Sequence, residues 1–333
     1  MYYMKILNVD DAPSKMVHIK NTRRNSTYCK VFWNKTISGV FTSKSVHGAF
    51  HRLDELTTYE EDFRKTNREV QIGDSVCYVF GIPLVPLFFC SITGKQVHSD
   101  GNVYVFLEPN NPKSPAIPTW RKFESERFIF VSDNRPGTKN DVLLDTNVYA
   151  VCREELDIAE EIYAEARVPI FLKSYLEDET KPIGEVAFKK CHEVLFKGIY
   201  PWAGKYRNEE IIVHTERRKT MSKDQIEVAS SKFFGSLTRS QLRKINCKEA
   251  MIKTLVDTHK ELAWIHPFQD GNGRAIRLFL ELLALTQGYK FELKAFVETG
   301  RGKKSYYYAV RESLSGRHMY IMKLFDRCTE EIK

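Results

Sequence analysis

No two of the seven cysteines stand at C-x-x-C spacing, and their odd number and scatter from Cys29 to Cys328 offer neither a disulfide framework nor a cysteine zinc site. Free thiols of a reducing compartment are expected. The N-terminus, Met1-Tyr2-Tyr3-Met4-Lys5-Ile6, lacks a basic stretch followed by an apolar one, so no secretory leader is read there. The expected site of action is intracellular, a reading compatible with delivery into a host cell as an effector by dedicated machinery. Internal repeats and low-complexity tracts are also missing, which excludes solenoids and wholesale disorder. One uncharged run, Ser75 to Gly94, has the roughly 20-residue length that spans a bilayer. Gly81, Pro83 and Pro86 interrupt it, and its β-branched and aromatic residues read as two buried strands.

What the chain does have is the make-up of a globular protein: 42% hydrophobic and 28% charged residues over 333 positions, enough for one large or two ordinary domains. A net charge of +8 suits an anionic partner without requiring nucleic acid. Short apolar segments separated by turn residues (Tyr28 to Trp33, Ile37 to Phe41, Val76 to Phe80, Leu87 to Cys90, Val103 to Leu107, Phe128 to Val131) predict a mainly β domain over residues 1–140. The polar stretch Asp133 to Asn140 has the composition of a linker. From residue 141 to 333 the apolar spacing becomes helical, in Glu185 to Phe196, Ile226 to Leu237, Ala250 to Ile265, Arg274 to Leu285 and Tyr306 to Phe325. The fold class expected is α+β: a mainly β domain followed by an all-α domain.

The chemistry gathers in His266-Pro267-Phe268-Gln269-Asp270-Gly271-Asn272-Gly273-Arg274-Ala275-Ile276-Arg277, between two amphipathic helices. Two glycines around an asparagine let backbone approach a ligand, and the following helix offers its first amides and positive dipole end to an anion. Arg274 and Arg277, three apart on its first turns, can reach the same polyphosphate. Asp270 supplies a hard oxygen of the kind that holds Mg²⁺ or Mn²⁺ beside phosphates. His266 titrates near neutrality and suits proton removal from a hydroxyl. Singly, each of these residues has an ordinary structural use; converging on one loop, they are the parts that phosphoryl-group chemistry requires. A zinc site on His259 and His266 is not expected, since no third His or carboxylate stands at ligand spacing.

The segment His266 to Arg277 matches H-x-F-x-[D/E]-G-N-G-R-x-x-R at every fixed position and so resembles the Fic domain of the Fic/Doc family. The upstream run His192-Glu193-Val194-Leu195-Phe196 to Trp202-Ala203-Gly204-Lys205-Tyr206-Arg207 resembles the family's H-x-x-L-F-x-x-x-Y-x-W-A-G-x-x-R segment, and the likeness extends over about Asp141 to Glu331. The resemblance implies an all-helical catalytic fold that transfers AMP from the co-substrate ATP to a Ser, Thr or Tyr hydroxyl of a target protein, with Mg²⁺ (or Mn²⁺) and release of pyrophosphate. It implies His266 as general base, Asp270 as metal ligand, Gly271, Asn272 and Gly273 as anion hole, Arg274 at the β-phosphate and Arg277 at the γ-phosphate. Phe268 would anchor the loop. Kinase-like members carry lysine where this chain has Gly273, so AMP is the default group; UMP and phosphocholine transfer, and nucleotide binding without turnover, remain as alternatives.

Family members place a β-hairpin flap where this chain has Glu209 to Met221, which makes Ile211, Ile212 and Val213 the expected docking strand for a target segment. The basic triplet Arg217-Arg218-Lys219 lies in the same stretch. Many members silence themselves with a [S/T]-x-x-x-E-[G/N] helix. Here Thr57 to Glu61 is the one Ser/Thr-x-x-x-Glu spacing, with Asp62 following, so Glu61 is the candidate inhibitory residue and a separate inhibitory protein is the other expectation. A second copy of the chain is a further candidate partner. Arg301-Gly302-Lys303-Lys304 with Tyr306-Tyr307-Tyr308 reads as a loop followed by a helix with an aromatic stripe in the core, with a nucleic-acid or nucleotide contact by the basic and aromatic residues as the alternative.

Overall fold

The computed structural model describes residues 16–21, 28–33, 36–42, 50–52, 69–79, 87–124, 127–131, 146–213, 218–297 and 300–332. The chain divides into two compact units, residues 1–170 with 196–201, and residues 171–195 with 202–333.

The first unit carries two antiparallel sheets. β1 (Met16–Asn21), β2 (Tyr28–Trp33), β3 (Thr36–Thr42) and β4 (Phe50–Arg52) pair in the order β3-β2-β1-β4. β5 (Ser75–Val79), β6 (Leu87–Val97), β7 (Val103–Pro109), β8 (Thr119–Lys122) and β9 (Phe128–Phe130) pair in the order β8-β7-β6-β5-β9. In the second sheet Val76 faces Cys90 and Cys77 faces Phe89. Val76, Tyr78, Phe88, Cys90, Ile92, Val105, Leu107 and Phe128 form a core on one face. Cys77 and Phe89, on the opposite face, are buried too, which is why these strands read as unbroken apolar runs. The start of α1 (Arg153–Leu176) is tied to this sheet through Asn110. The Asn110 carboxamide donates to Ser75 Oγ (3.0 Å) and to Glu155 Oε1 (2.7 Å), and accepts from Ser91 Oγ (2.7 Å). Glu155 is buried and also accepts from the amide of Val151 (2.6 Å), just ahead of the helix. Burial pushes its carboxyl pKa up.

The second unit is helical: α2 (Glu185–Phe196), α3 (Ile226–Ser236), α4 (Arg239–Leu242), α5 (Lys248–Ile265), α6 (Asn272–Thr286), α7 (Leu293–Val297), α8 (Gly300–Leu314) and α9 (Met319–Cys328). A small hairpin, β10 (Ile212–Val213) with β11 (Arg218–Lys219), follows α2, and β12 (Tyr289–Phe291) pairs with β13 (Thr329–Glu331). On α5 the stripe Met251, Leu255, Thr258, Leu262 and Ile265 is buried as its spacing predicts. On α6 Phe279, Leu280 and Leu283 are fully buried, and Phe279 joins Phe188 and Phe234 in an aromatic cluster with centroids 5.4 and 5.8 Å away. This packing fixes α5 and α6 as rigid posts on either side of the loop from 266 to 271.

Two expectations need correction in detail. The apolar pattern from Tyr306 to Phe325 is two helices, because Gly316 adopts φ +90° and breaks the run between α8 and α9. The stretch Arg301 to Lys304, expected as a loop, lies inside α8. As expected, the uncharged stretch from Ser75 holds β5 and most of β6, and no helix among the described residues is long and apolar enough to cross a membrane. The linker Asp133 to Asn140 and the segment around Glu61 lie outside the described residues.

Candidate active site between helices α5 and α6

α5 ends at Ile265, and His266 caps it in the left-handed region with φ 49° and ψ 59°, its amide bonded to Leu262 O at 3.0 Å. A non-glycine residue persists there only where its surroundings hold it. Phe268 is fully buried, its ring stacked on His192 at 3.8 Å and close to Phe188 (5.1 Å) and Tyr206 (5.5 Å). Asn272 closes the loop reciprocally: Phe268 N–H donates to Asn272 Oδ1 (2.8 Å) and Asn272 Nδ2 donates to Phe268 O (2.7 Å). The Asn272 side chain is therefore a lock on the loop, and only its backbone remains for an anion.

His192 is a second brace. The Gly204 amide donates to its Nδ1 (2.8 Å), so the ring proton sits on Nε2 and is given to Asp270 O at 3.0 Å. Burial, assisted by the Arg274 charge and opposed by the bond to Asp270, lowers its pKa to about 4. The ring is neutral at physiological pH, the form this pair of bonds requires. Arg207, also buried, donates its backbone amide to Pro267 O (2.8 Å) and its Nε to His266 O (3.0 Å).

The polar side chains of the loop lie toward solvent. His266, Asp270, Gly273, Arg274 and Arg277 are all partly exposed. Asp270 Oδ2 accepts from Arg274 Nη2 at 3.4 Å. Gly271, with φ 74°, starts α6, whose first amides have no carbonyl of their own helix to bond. A Cβ on Gly273 would stand 3.2 Å from Arg277 Nη1, so the missing side chain is what lets Arg277 lie back over the helix start. The Arg277 guanidinium sits 5.8 Å from the centroid of Tyr306, a buried ring whose hydroxyl bonds His259 Nε2 at 2.7 Å. Burial first, and then the Arg277 charge, lower the His259 pKa to about 3. His259 thus packs in the core, and no group of three His, Cys, Asp or Glu able to hold a metal occurs among the described residues.

The structure brings His266, Asp270, Gly271, Asn272, Gly273, Arg274 and Arg277 onto one loop and helix start. Ile212 and Val213 form β10 of the expected hairpin, with Ile211 just before it and Ile212 exposed. Glu61 lies outside the described residues. Three further residues build the site without having been singled out for it, His192, Arg207 and His259, and Tyr306 joins them from the tyrosine run that was. His192 and Arg207 do close the two ends of the upstream segment, and that placement was the available signal.

Residues 182–284 match the Fic/DOC family. This stretch of the chain is a Fic domain. It contains α2, the hairpin, α3 to α5, the loop and nearly all of α6. The chain is 31% identical over 131 residues to the "Probable protein adenylyltransferase" of Sinorhizobium fredii, covering 36% of this chain and 66% of that one. It is 35% identical over 105 residues to the protein adenylyltransferase VbhT of Bartonella schoenbuchensis, covering 31% of this chain and 21% of that one. This chain thus spans just under two thirds of the first of these relatives and about a fifth of the second. Among solved structures, the N-terminal Fic domain of a VirB-translocated Bep effector from Bartonella quintana aligns with TM-score 0.48 at 19% identity, over 60% of this chain and 94% of that one. BepC of Bartonella tribocorum, with AMPPNP bound, aligns with TM-score 0.46 at 20% identity, over 60% and 97%.

Proposed function

We propose that this chain is a protein adenylyltransferase that moves AMP from ATP to a Ser, Thr or Tyr hydroxyl of a target protein. The observation that carries the reading is one loop holding an imidazole, a carboxylate and two arginines around the first amides of α6. The likeness to two proteins named adenylyltransferases supports it. The target hydroxyl oxygen attacks the α-phosphorus, the bond from that phosphorus to the bridging oxygen breaks, and pyrophosphate leaves. His266 takes the hydroxyl proton. The amides at Gly271, Asn272 and Gly273 receive phosphate oxygens, Arg274 the β-phosphate and Arg277 the γ-phosphate, placing positive charge where the leaving group gains negative charge. Asp270 is a single, half-exposed carboxylate with no protein cage around it. Such a donor fits Mg²⁺ or Mn²⁺, whose other ligands are phosphate oxygens and water, better than a metal enclosed by protein. When bound, the ion neutralises phosphate charge.

The exposed edge of β10, with Ile211, Ile212 and Val213, is proposed to align the target segment by strand pairing. Residues 141–333 are proposed as the catalytic domain and residues 1–140 as an accessory domain for targeting or regulation, with Glu61 or a separate inhibitory protein as the restraint. The test is purified protein with Mg²⁺ and α-labelled ATP, with and without a cell lysate, beside His266→Ala and Arg277→Ala. Label on the chain or on a lysate protein that vanishes with His266→Ala and on chelation supports the reading. Label only from UTP, CDP-choline or γ-labelled ATP overturns the transferred group, and no label from any donor leaves nucleotide binding without turnover.

A further inference from the structure

Arg207 lies between two parts of the site. Its side chain is fully shielded from solvent. On one side Nε and the backbone amide hold the carbonyls of His266 and Pro267, the two successive peptide oxygens that follow the left-handed Cα. On the other side the guanidinium reaches both roots of the hairpin: Nη1 donates to Glu209 O (2.6 Å), and Nη2 to Thr220 Oγ1 (3.1 Å) and Met221 O (2.5 Å). Thr220 in turn gives its hydroxyl proton to Ile211 O (3.2 Å), stitching one root to the other. A continuous chain of hydrogen bonds therefore runs from Ile211 through Thr220 and Arg207 to His266.

The choice of partners is informative. The Glu210 carboxylate stands 3.9 Å from Nη1 and is itself more than half exposed, while the close acceptors are neutral carbonyls and a hydroxyl. Burying a guanidinium against neutral acceptors contributes little to stability compared with an apolar residue of similar size. What it does supply is a planar fork with several donors at fixed angles, which a lysine lacks. Aiming His266 is a task that needs fixed angles, because its peptide geometry sets where the imidazole points.

We propose that Arg207 is a positioning residue that couples the hairpin to His266, so that a target segment docked on β10 sets the aim of the base. This rests on the assignment of His266 as that base. The test uses the full chain with ¹⁵N-labelled histidine, comparing wild type, Thr220→Val, Arg207→Lys and the double variant. Thr220→Val removes one acceptor at the hairpin root and touches nothing in the loop from 266 to 277. The expected result is a displaced His266 imidazole resonance in Thr220→Val, with His318 at the cap of α9 unmoved and the calorimetric affinity for a nonhydrolysable ATP analogue unchanged. The initial labelling rate from α-labelled ATP should fall by about tenfold, the scale of a sub-ångström misplacement. In the Arg207→Lys background, Thr220→Val should add no further displacement, since the chain is already broken. An unmoved His266 resonance in Thr220→Val, or an equal added displacement in the double variant, overturns the coupling. If Arg207→Lys does not fold, Thr220→Val decides alone. If wild type transfers no label, the assigned reaction falls, while the His266 resonance still decides the coupling.

Discussion

Acid should loosen the helical unit at a pH where most proteins of this size are untroubled, and two histidines set the amount. His192 and His259 are buried and neutral, with pKa values of about 4 and about 3 against 6.5 in an unfolded chain. Each folded value lies below the unfolded one. Between the two the unfolded chain binds protons that the folded chain refuses, so the stabilisation is complete above about pH 6.5 and is lost as pH falls toward the folded values. At pH 5, about 1.5 units below the unfolded pKa, each ring withdraws roughly 2 kcal/mol, and the pair roughly 4 kcal/mol. That is a large part of the ~5–15 kcal/mol that holds a domain folded. Urea unfolding followed by tryptophan fluorescence at pH 7 and pH 5 measures the loss, and His192→Gln and His259→Gln apportion it. Each variant should be less stable than wild type at pH 7 yet lose about 2 kcal/mol less on acidification. A pH dependence in both variants that superimposes on wild type would refute the reasoning.

Asn272→Ala leaves the Phe268 N–H and C=O buried without partners, at about 1–3 kcal/mol each, so a drop of roughly 2–6 kcal/mol in calorimetry should accompany loss of transfer. Glu155→Gln keeps the shape of the side chain but sets an amide donor against Val151 N–H or the Asn110 carboxamide, both donors. The melting temperature should fall by the equivalent of about 1–3 kcal/mol, and nucleotide affinity should not change. Gly273→Ala removes a glycine from a helix, a gain of up to about 1 kcal/mol, but pushes on Arg277. Calorimetry should find a melting temperature that is unchanged or raised together with a several-fold weaker affinity for ATP, and an unaltered affinity would show that Arg277 swings aside freely.

Local regularities were legible in the sequence. α2 begins and ends where its apolar spacing does, and the strands at Tyr28, Val76, Val103 and Phe128 fall where β-branched and aromatic residues cluster between turns. The loop was legible because its residues are contiguous. α1 was not, since Pro169 and the acidic residues Glu154, Glu155 and Glu160 obscure a stripe of Leu156, Ala159, Tyr163, Phe171, Leu172 and Tyr175 that is nevertheless buried. Two of those carboxylates, Glu155 and Glu160, are themselves buried by tertiary partners. The braces were hidden for the same reason. His192 finds its acceptor 78 residues away and Arg207 finds one 59 residues away, and no periodicity in a single sequence encodes such a pairing.

The reciprocal bonds between Asn272 and Phe268 also bear on how the protein ages. Asn272 precedes Gly273, the dipeptide in which a backbone nitrogen most readily attacks the preceding carboxamide, forming a succinimide that opens to aspartate or isoaspartate. Here both ends of that carboxamide are held by Phe268, and Gly273 is fixed in the first turn of α6. The reaction must wait for the loop to open. Deamidation at this one position, followed by peptide mass spectrometry during storage, is therefore a chemical clock for the time the loop from 266 to 271 spends unlatched, and each tick is irreversible.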